Sequence, residues 1–146
     1  MTYRRLESLA EFIYRNLTFA HHVALMGLEA TGFAKGNMEA LWIDPWEYRE
    51  ELERATLFLA ERRMHVSIYN HQLCTVTPAV WPYCRQSISD WKNEYLPLCE
   101  GCAARTSCGG FFSFNVKGHV SRHLAPVMAS VVPAVTPDGS PPAHIS

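Results

Sequence analysis

The chain has 146 residues, of which 48% are hydrophobic, and a formal net charge of −1. This length fits one ordinary domain or a piece of a larger one, with enough apolar residues for a core. Acidic and basic residues are mixed along the chain, which argues against the basic patch of a nucleic-acid interface. The longest apolar run, VALMGL, is too short to span a bilayer. Glu7 and Glu11 interrupt the stretch that a signal peptide keeps apolar, so we expect a cytoplasmic protein without membrane or nucleic-acid partners.

The first two predicted elements are a helix over 4–17 and a strand over 22–29. The helix is indicated by apolar residues that recur at helical spacing, namely Leu6, Leu9, Ala10, Ile13 and Leu17. The second segment, HVALMGLE, is short and mostly apolar, which is typical of a buried strand. A long irregular connection is expected over 30–43.

A second long helix, roughly 45–63, has a clear start signal. Asp44 can cap it, Pro45 suits the first helical position, and Glu47 can return to the amide of the cap residue. Its less polar side chains form one stripe, which consists of Leu52, Ala55, Thr56 and Leu59. The segment HVSIYN, residues 65–70, is predicted as the second strand.

The order helix, strand, helix, strand indicates the fold class. A strand, a helix and a strand of this length form a right-handed crossover with parallel strands. Two strands and two helices do not make a stable sheet alone, because a parallel sheet needs both faces covered and further strands beside it. We therefore predict an α/β fold in which residues 1–73 are the last part of a larger α/β barrel or sheet. A small, loop-rich cysteine segment over 74–118 follows.

The second half of the chain has weaker patterns. A short helix is predicted over 78–86, and a short strand and turn over 87–95. The end of the chain is rich in proline and has no usable periodicity. We expect residues 119–146 to form a flexible tail.

All five cysteines fall between residues 74 and 108, which indicates a metal or iron–sulfur site rather than a disulfide framework. Cys99 and Cys102 have the C-x2-C spacing of a metal-binding knuckle, and Gly101 between them eases the tight turn. Cys108 follows after five more residues. These three thiolates form an incomplete tetrahedral site, so a fourth ligand is expected elsewhere in the chain.

The candidates for the fourth ligand are Cys74 and Cys84, with His71 as a weaker third. Cys74 is favoured because it follows the strand 65–70 directly, where functional groups gather in parallel α/β folds. Cys84 lies in a predicted helix and can simply pack there. Zinc and iron–sulfur clusters share thiolate ligands, but zinc ribbons usually pair two knuckles and this chain has one. The spacing therefore favours a [4Fe-4S] cluster, with zinc as the alternative.

Three stretches resemble the C-terminal part of the radical SAM maturases of the His-Xaa-Ser system, over roughly residues 1–125. They are HVALMGLEATGFAKGNMEALWIDPWEY, YNHQLC and WPYCRQSISDWKNEYLPLCEGCAARTSCGGFF. The C-x2-C-x5-C spacing is also that of the auxiliary-cluster extensions, called SPASM or twitch, of radical SAM enzymes. Those enzymes cleave S-adenosylmethionine reductively at a [4Fe-4S] cluster and use the 5′-deoxyadenosyl radical. In the members that modify peptides, the auxiliary cluster lies near the substrate.

The resemblance implies a partial (β/α)6 barrel in which residues 22–70 are the fifth strand, the fifth helix and the sixth strand. It places four residues near S-adenosylmethionine, namely Gly27, Glu29, Tyr69 and Asn70. It assigns the auxiliary cluster to Cys74, Cys99, Cys102 and Cys108. It leaves Cys84 as a residue that does not bind the metal.

The departures from the family pattern are as important as the match. The C-x3-C-x2-C motif that binds the S-adenosylmethionine-cleaving cluster is absent, and so are the first four strands. The full SPASM pattern has a cysteine where this chain has Phe112, so a single auxiliary cluster of the smaller twitch type is expected.

The resemblance therefore implies a truncated or split peptide maturase that is not catalytically competent alone. Its expected partners are a chain or domain that carries the missing N-terminal barrel, and a peptide substrate of the His-Xaa-Ser system. Two alternatives stay open, a zinc-stabilised binding module without enzymatic activity and a fragment that never folds alone.

Overall fold

The computed structural model describes residues 2–87, 94–112 and 118–131. In these parts of the chain, helices and strands occupy the first half, and short 3-10 turns and loops make up the rest. The helices and strands are α1 (Leu6–Asn16), β1 (His22–Met26), α2 (Gly32–Lys35), α3 (Met38–Leu41), α4 (Arg49–Glu61) and β2 (His65–Tyr69).

Both long helices begin later than the sequence predicts, because a 3-10 turn precedes each of them. The turns are Thr2–Arg5 before α1 and Pro45–Tyr48 before α4. Asp44 has the predicted cap role, since its Oδ1 accepts a hydrogen bond from the Trp46 amide at 3.1 Å. The cap therefore starts a 3-10 turn that leads into the α-helix.

Three further predicted segments either have a different structure from the predicted one or lie outside the described residues. The connection over 30–43 contains α2 and α3, each four residues long. The predicted helix over 78–86 is the 3-10 helix Pro78–Tyr83, and Pro82 inside it lacks the amide that an α-helix needs. The predicted strand over 87–95 falls largely on residues 88–93, which lie outside the described residues.

The two strands pair in parallel, as the sequence predicts, and α4 lies between them in the chain. In the register of the pair, Ala24 lies opposite Ser67. A third segment meets the other edge of β2, where Cys84 forms a parallel bridge with Ile68 and the Arg85 amide donates to the Ile68 carbonyl at 2.8 Å. Among the described residues, β2 is thus covered on both edges and β1 on one only.

Helices α1 and α4 pack together against one face of this strand pair. The core between them contains Ala10, Val23, Ala55, Leu59 and Val66. The other face of β1 is open among the described residues, since Ala24 is exposed and Met26 is 62% exposed. One face and one edge of β1 therefore lack the cover that a parallel sheet needs.

A second core joins the sheet to the cysteine segment. It is formed by Leu52, Ile68, Leu73, Val76, Val80, Trp81, Cys84, Ala104 and Val127. Val127 belongs to residues 118–131, which we call the strap. The strap packs against the body of the protein, which differs from the predicted flexible tail, because it buries Ser121 and Val127. Residues 132–146 of the predicted tail lie outside the described residues.

The carboxyl ends of the two strands are joined by hydrogen bonds at Gly27. Its amide donates to the Tyr69 carbonyl at 3.0 Å, and its carbonyl accepts from the Asn70 side-chain amide at 3.2 Å. A Cβ at position 27 would lie 2.7 Å from the Asn70 carbonyl oxygen and 3.0 Å from the His71 ring. Backbone and ring leave no room for a side chain there.

We expect Gly27→Ala to lower the free energy of unfolding by about 1–3 kcal/mol, since overpacking against backbone forces the strand ends apart. The measurement is urea denaturation followed by circular dichroism. Gly36→Ala is the matched control, because a Cβ at position 36 meets nothing within 4 Å and φ there is −81°. Equal stability of the Gly27→Ala and Gly36→Ala variants would contradict the close approach at Gly27.

Candidate metal centre

The four cysteines that the sequence favours as ligands line one cavity. Cys74 lies in the 3-10 turn Leu73–Thr75 that follows β2, and the other three lie on the segment 97–108. The cavity has a volume of about 20 Å³, which is room for about one water molecule. The sulfur-bearing side chains thus lie close together, although Cys74 and Cys108 are separated by more than thirty positions in the sequence.

The C-x2-C segment forms a tight turn, which we call the knuckle (residues 99–102). The Cys102 amide donates to the Cys99 carbonyl at 3.2 Å. Gly101 has φ = +78°, in the left-handed region that favours glycine. Further turns carry the chain from the knuckle to Cys108, whose amide donates to the Arg105 carbonyl at 3.4 Å. The C-x2-C spacing and Gly101 therefore form the knuckle through contacts between residues that are close in the sequence.

Backbone amides donate hydrogen bonds to two of the four sulfur atoms. The Val127 amide donates to Cys102 Sγ at 3.3 Å, and the Leu73 amide donates to Cys108 Sγ at 3.5 Å. Donors of this kind stabilise negative charge on sulfur, which is the charge that a metal-binding thiolate carries.

Two of the thiols in the cavity have raised pKa values. Burial raises the pKa of Cys74, and the three nearby thiols raise it further, although the Ala125 amide acts in the opposite direction. Burial likewise raises the pKa of Cys108, the adjacent amides lower it, and the knuckle thiols raise it. Without a cation, thiolates at these positions would repel one another in a poorly hydrated space. A bound metal supplies the positive charge that lets such thiols lose their protons.

Cys84 lies outside the cavity and has the surroundings of a core residue. It is 8% exposed, and its thiol donates to the Val80 carbonyl at 3.5 Å. Burial raises the pKa of Cys84 to about 12, so it is a protonated thiol at neutral pH. Of the two cysteines that the sequence offers as the fourth ligand, the structure brings Cys74 to the other three.

His71, the weaker candidate, is buried and uses both of its ring nitrogens within the protein. Its Nδ1 lies 2.8 Å from the Tyr69 carbonyl oxygen, which can only accept, so Nδ1 carries the proton. Its Nε2 then accepts from the Tyr48 hydroxyl at 3.0 Å. Burial lowers the pKa of His71. The ring is therefore neutral and serves to join β2 to the start of α4.

The cysteine cavity is not a finished site for a single ion. Within the described parts of the chain, no group of three or more His, Cys, Asp or Glu side chains is placed to hold a metal ion. The thiols share a cavity without being grouped around one ion.

The residues that the resemblance places near S-adenosylmethionine lie at the carboxyl ends of the strands. Gly27, Tyr69 and Asn70 are joined by the hydrogen bonds described above, and Asn70 has φ = +64°. Glu29 is half-buried and lies three residues beyond β1. Gly27 also lines a mostly apolar cavity of about 510 Å³, which extends along β1 to Leu6 and Leu41. S-adenosylmethionine binding by these residues stays a prediction.

The strap forms part of the cavity wall, and no pattern in the sequence indicates this. Ala125, Pro126 and Val127 line the cavity beside the cysteines. Asp44, identified in the sequence only as a cap, also accepts the Arg122 amide through Oδ2 at 3.1 Å. No local pattern links these positions, which are 78 residues apart.

Comparison of the chain with protein-family models, with curated proteins and with solved structures finds no match. None of the helices in the described parts of the chain has the length and apolar character needed to cross a membrane. The geometry of the site is therefore the basis for the functional interpretation.

The buried neutral His71 predicts a pH dependence of stability. The unfolded chain binds a proton at this histidine near its ordinary pKa of about 6.5, whereas the folded protein does not. The free energy of unfolding therefore falls as the pH decreases below about 6.5, by at most about 1.4 kcal/mol per pH unit for this group.

We expect His71→Gln to flatten this dependence in urea denaturation curves measured from about pH 8 to about pH 5. His21→Gln is the control, because His21 is exposed and its replacement should leave the slope as in the wild type. An unchanged slope in the His71→Gln variant would contradict the buried, neutral assignment.

Proposed function

We propose that this chain binds one [4Fe-4S] cluster through Cys74, Cys99, Cys102 and Cys108. The observation that carries the proposal is that these four thiols, and no carboxylate or imidazole, line one cavity in the described part of the chain. An all-sulfur ligand set is the usual one for such a cluster. The amide donors to sulfur fit the same assignment, since hydrogen bonds to sulfur tune cluster potentials.

A cluster is favoured over a single ion by the separation of the ligands along the chain and by their arrangement. In a cubane cluster each thiolate binds a different iron, so the thiolates need not meet at one point. The four thiols line one cavity in the described part of the chain. When bound, the cluster supplies one-electron chemistry or a site for a substrate ligand.

Zinc is the second candidate, and one observation favours it. The cavity volume of about 20 Å³ is small, so a single ion displaces fewer atoms than a cluster does. In that case the protein is a binding module without enzymatic activity, and the metal contributes to folding free energy.

The wider proposal is that the chain is the C-terminal part of a radical SAM peptide maturase of the His-Xaa-Ser system. Support comes from the parallel β-α-β unit and from the meeting of Gly27, Tyr69 and Asn70 at one edge of the sheet. The open edge and face of β1, with the 510 Å³ cavity beside them, fit a sheet that continues into further strands.

The missing strands belong, in this proposal, to a partner chain or domain that carries the rest of the barrel. S-adenosylmethionine binds only in the complete enzyme, and this chain alone is not catalytically competent, because it has no C-x3-C-x2-C motif. The substrate is a peptide of the same system. We place the protein in the reducing cytoplasm, where the free cysteines in the described part of the chain would stay available for metal.

The proposal predicts different results for two cysteine variants after anaerobic reconstitution with iron and sulfide. We expect the wild type and Cys84→Ala to become brown and to bind about four irons per chain, as one [4Fe-4S] cluster requires. Cys74→Ala should bind much less iron and lose the broad visible absorbance, because one ligand is gone. The measurements are absorbance spectra and iron, sulfide and zinc analyses on folded samples.

Two results would contradict the proposal. A colourless wild-type protein that holds one zinc ion would favour the binding module. Full iron content in Cys74→Ala together with loss of iron in Cys84→Ala would show that the fourth ligand is Cys84. Circular dichroism of both variants separates loss of a ligand from loss of the fold.

A further inference from the structure

Strand β1 has one edge without a neighbouring strand among the described residues. On its paired side, the amide of Gly27 donates to the Tyr69 carbonyl at 3.0 Å. Backbone groups of alternate residues in a strand point to the same side, so the amides and carbonyls of His22, Ala24 and Met26 point out of the open edge. These groups are available to pair with another strand.

The open edge of β1 carries none of the features that usually keep an edge strand from pairing. Its sequence, HVALM, contains no proline and no lysine, arginine or acidic residue. Its pairing with β2 is regular from His22 to Met26, without a bulge that would twist the edge away. A regular, uncharged edge of this kind is a template for a further strand.

An apolar cavity opens beside the carboxyl half of β1. It has a volume of about 510 Å³, and its walls include Leu25 and Met26 of β1 and Leu6 and Leu9 of α1. Among the described residues that line it, none is a lysine, an arginine, an aspartate or a glutamate. Its size and apolar walls suit an aromatic side chain that enters from outside.

Two exposed phenylalanines lie towards the opposite end of the same edge. Phe12 is 55% exposed and follows Leu9 by three positions, so both side chains lie on one side of α1. Phe19 is 75% exposed and lies in the short connection between α1 and β1. Helix α1 begins beside the carboxyl half of β1 and leads into its amino end, so it runs antiparallel to the strand. The two rings are therefore displaced from the cavity towards the amino end of β1.

A twofold axis perpendicular to the sheet brings these opposite ends together in two copies of the chain. It pairs the two β1 edges in antiparallel, with Ala24 opposite its own copy and His22 opposite Met26 of the second copy. Helix α1 then lies on the same face of the sheet in both copies. The amino end of each β1 lies beside the carboxyl end of the other, so Phe12 and Phe19 of one copy face the apolar cavity of the second.

The exposed apolar surface along this edge is large enough for a dimer. Large apolar side chains that are between two fifths and three quarters exposed lie along the edge and around the cavity, namely Leu9, Phe12, Phe19, Met26, Leu28 and Leu41. At about 200 Å² for each fully exposed side chain, they offer roughly 600 Å² per copy. Two copies together then bury roughly 1,200 Å², which is the lower end of the range for specific, stable interfaces.

We propose that β1 is a self-association surface, through which two copies of this chain form a symmetric dimer with one continuous four-stranded sheet. Backbone pairing along the open edges gives the register, and the phenylalanines of each copy fill the cavity of the other. This inference goes beyond the proposed function and needs no bound metal. The wider proposal assigns the same edge to a partner chain or domain, which would compete with the second copy.

The test is analytical ultracentrifugation of the full chain over a range of concentrations, with a chelator and a reductant present. We expect the wild type to sediment as a dimer, at twice the chain mass of 16.5 kDa. Ala24→Pro removes an amide hydrogen from the open edge and leaves the pairing with β2 intact. We expect the dimer dissociation constant to rise on the order of tenfold or more, since both copies lose a hydrogen bond.

A second variant tests the fit between the side chains and the cavity. Phe12→Asp places a carboxylate against the uncharged cavity of the other copy, so we expect this variant to be monomeric. Met128→Lys is the matched control, because Met128 is also an exposed apolar side chain but lines a different cavity beside the strap. We expect it to remain a dimer. Circular dichroism of each variant shows that it is folded.

Hydrogen exchange tests the register of the dimer. We expect the amides of His22, Ala24 and Met26 to exchange more slowly in the wild-type dimer than in Phe12→Asp. A wild-type chain that stays monomeric at millimolar concentration would overturn the inference. So would a dimer that folded Ala24→Pro and Phe12→Asp leave unchanged, or one that Met128→Lys weakens equally. Iron content is not a readout here, so failure of the proposed cluster and failure of the dimer are seen separately.

Discussion

The candidate site depends on one constraint, which is that four thiols from two parts of the chain share one small cavity. Burial and mutual repulsion raise the pKa of Cys74 and Cys108, and amides from neighbouring segments partly offset the repulsion. Loss of the proton from either of these two thiols is therefore disfavoured in the folded protein. The rest of the site is arranged around this constraint.

Three parts of the chain contribute to this cavity in different ways. Cys74 lies in the turn that follows β2. The carboxyl end of β2 is positioned by the parallel pairing of β1 and β2 and by the close contact at Gly27. The knuckle and the turns after it present the other three cysteines through short-range hydrogen bonds. The strap closes one wall and adds an amide donor, with Asp44 as its anchor.

The parts of this arrangement that depend on local physics could be predicted from the sequence. The knuckle follows from the C-x2-C spacing and from Gly101, and Cys74 is indicated as a ligand because it follows a strand. The strands follow from short apolar runs, and the α4 cap from Asp44 and Pro45. Each of these signals lies within a few residues of the feature that it predicts.

The parts that depend on long-range contacts could not be predicted in the same way. The core position of Cys84 depends on its bridge to Ile68, and no spacing rule indicates it. The strap lacks a periodic pattern, and it is held by a buried valine and by a carboxylate 78 positions earlier. Contacts at that separation leave no periodic pattern in the chain, so a segment without periodicity is indistinguishable from a disordered one at the sequence level.

The most direct test of the central claim, that four thiols of this cavity jointly hold one iron–sulfur cluster, is Mössbauer spectroscopy of the anaerobically reconstituted wild-type chain. We predict that nearly all of the bound iron gives the spectrum of a single cubane cluster, in which iron pairs share their charge. Iron present only as isolated tetrathiolate ions, or a chain that excludes iron and retains zinc, would contradict the account.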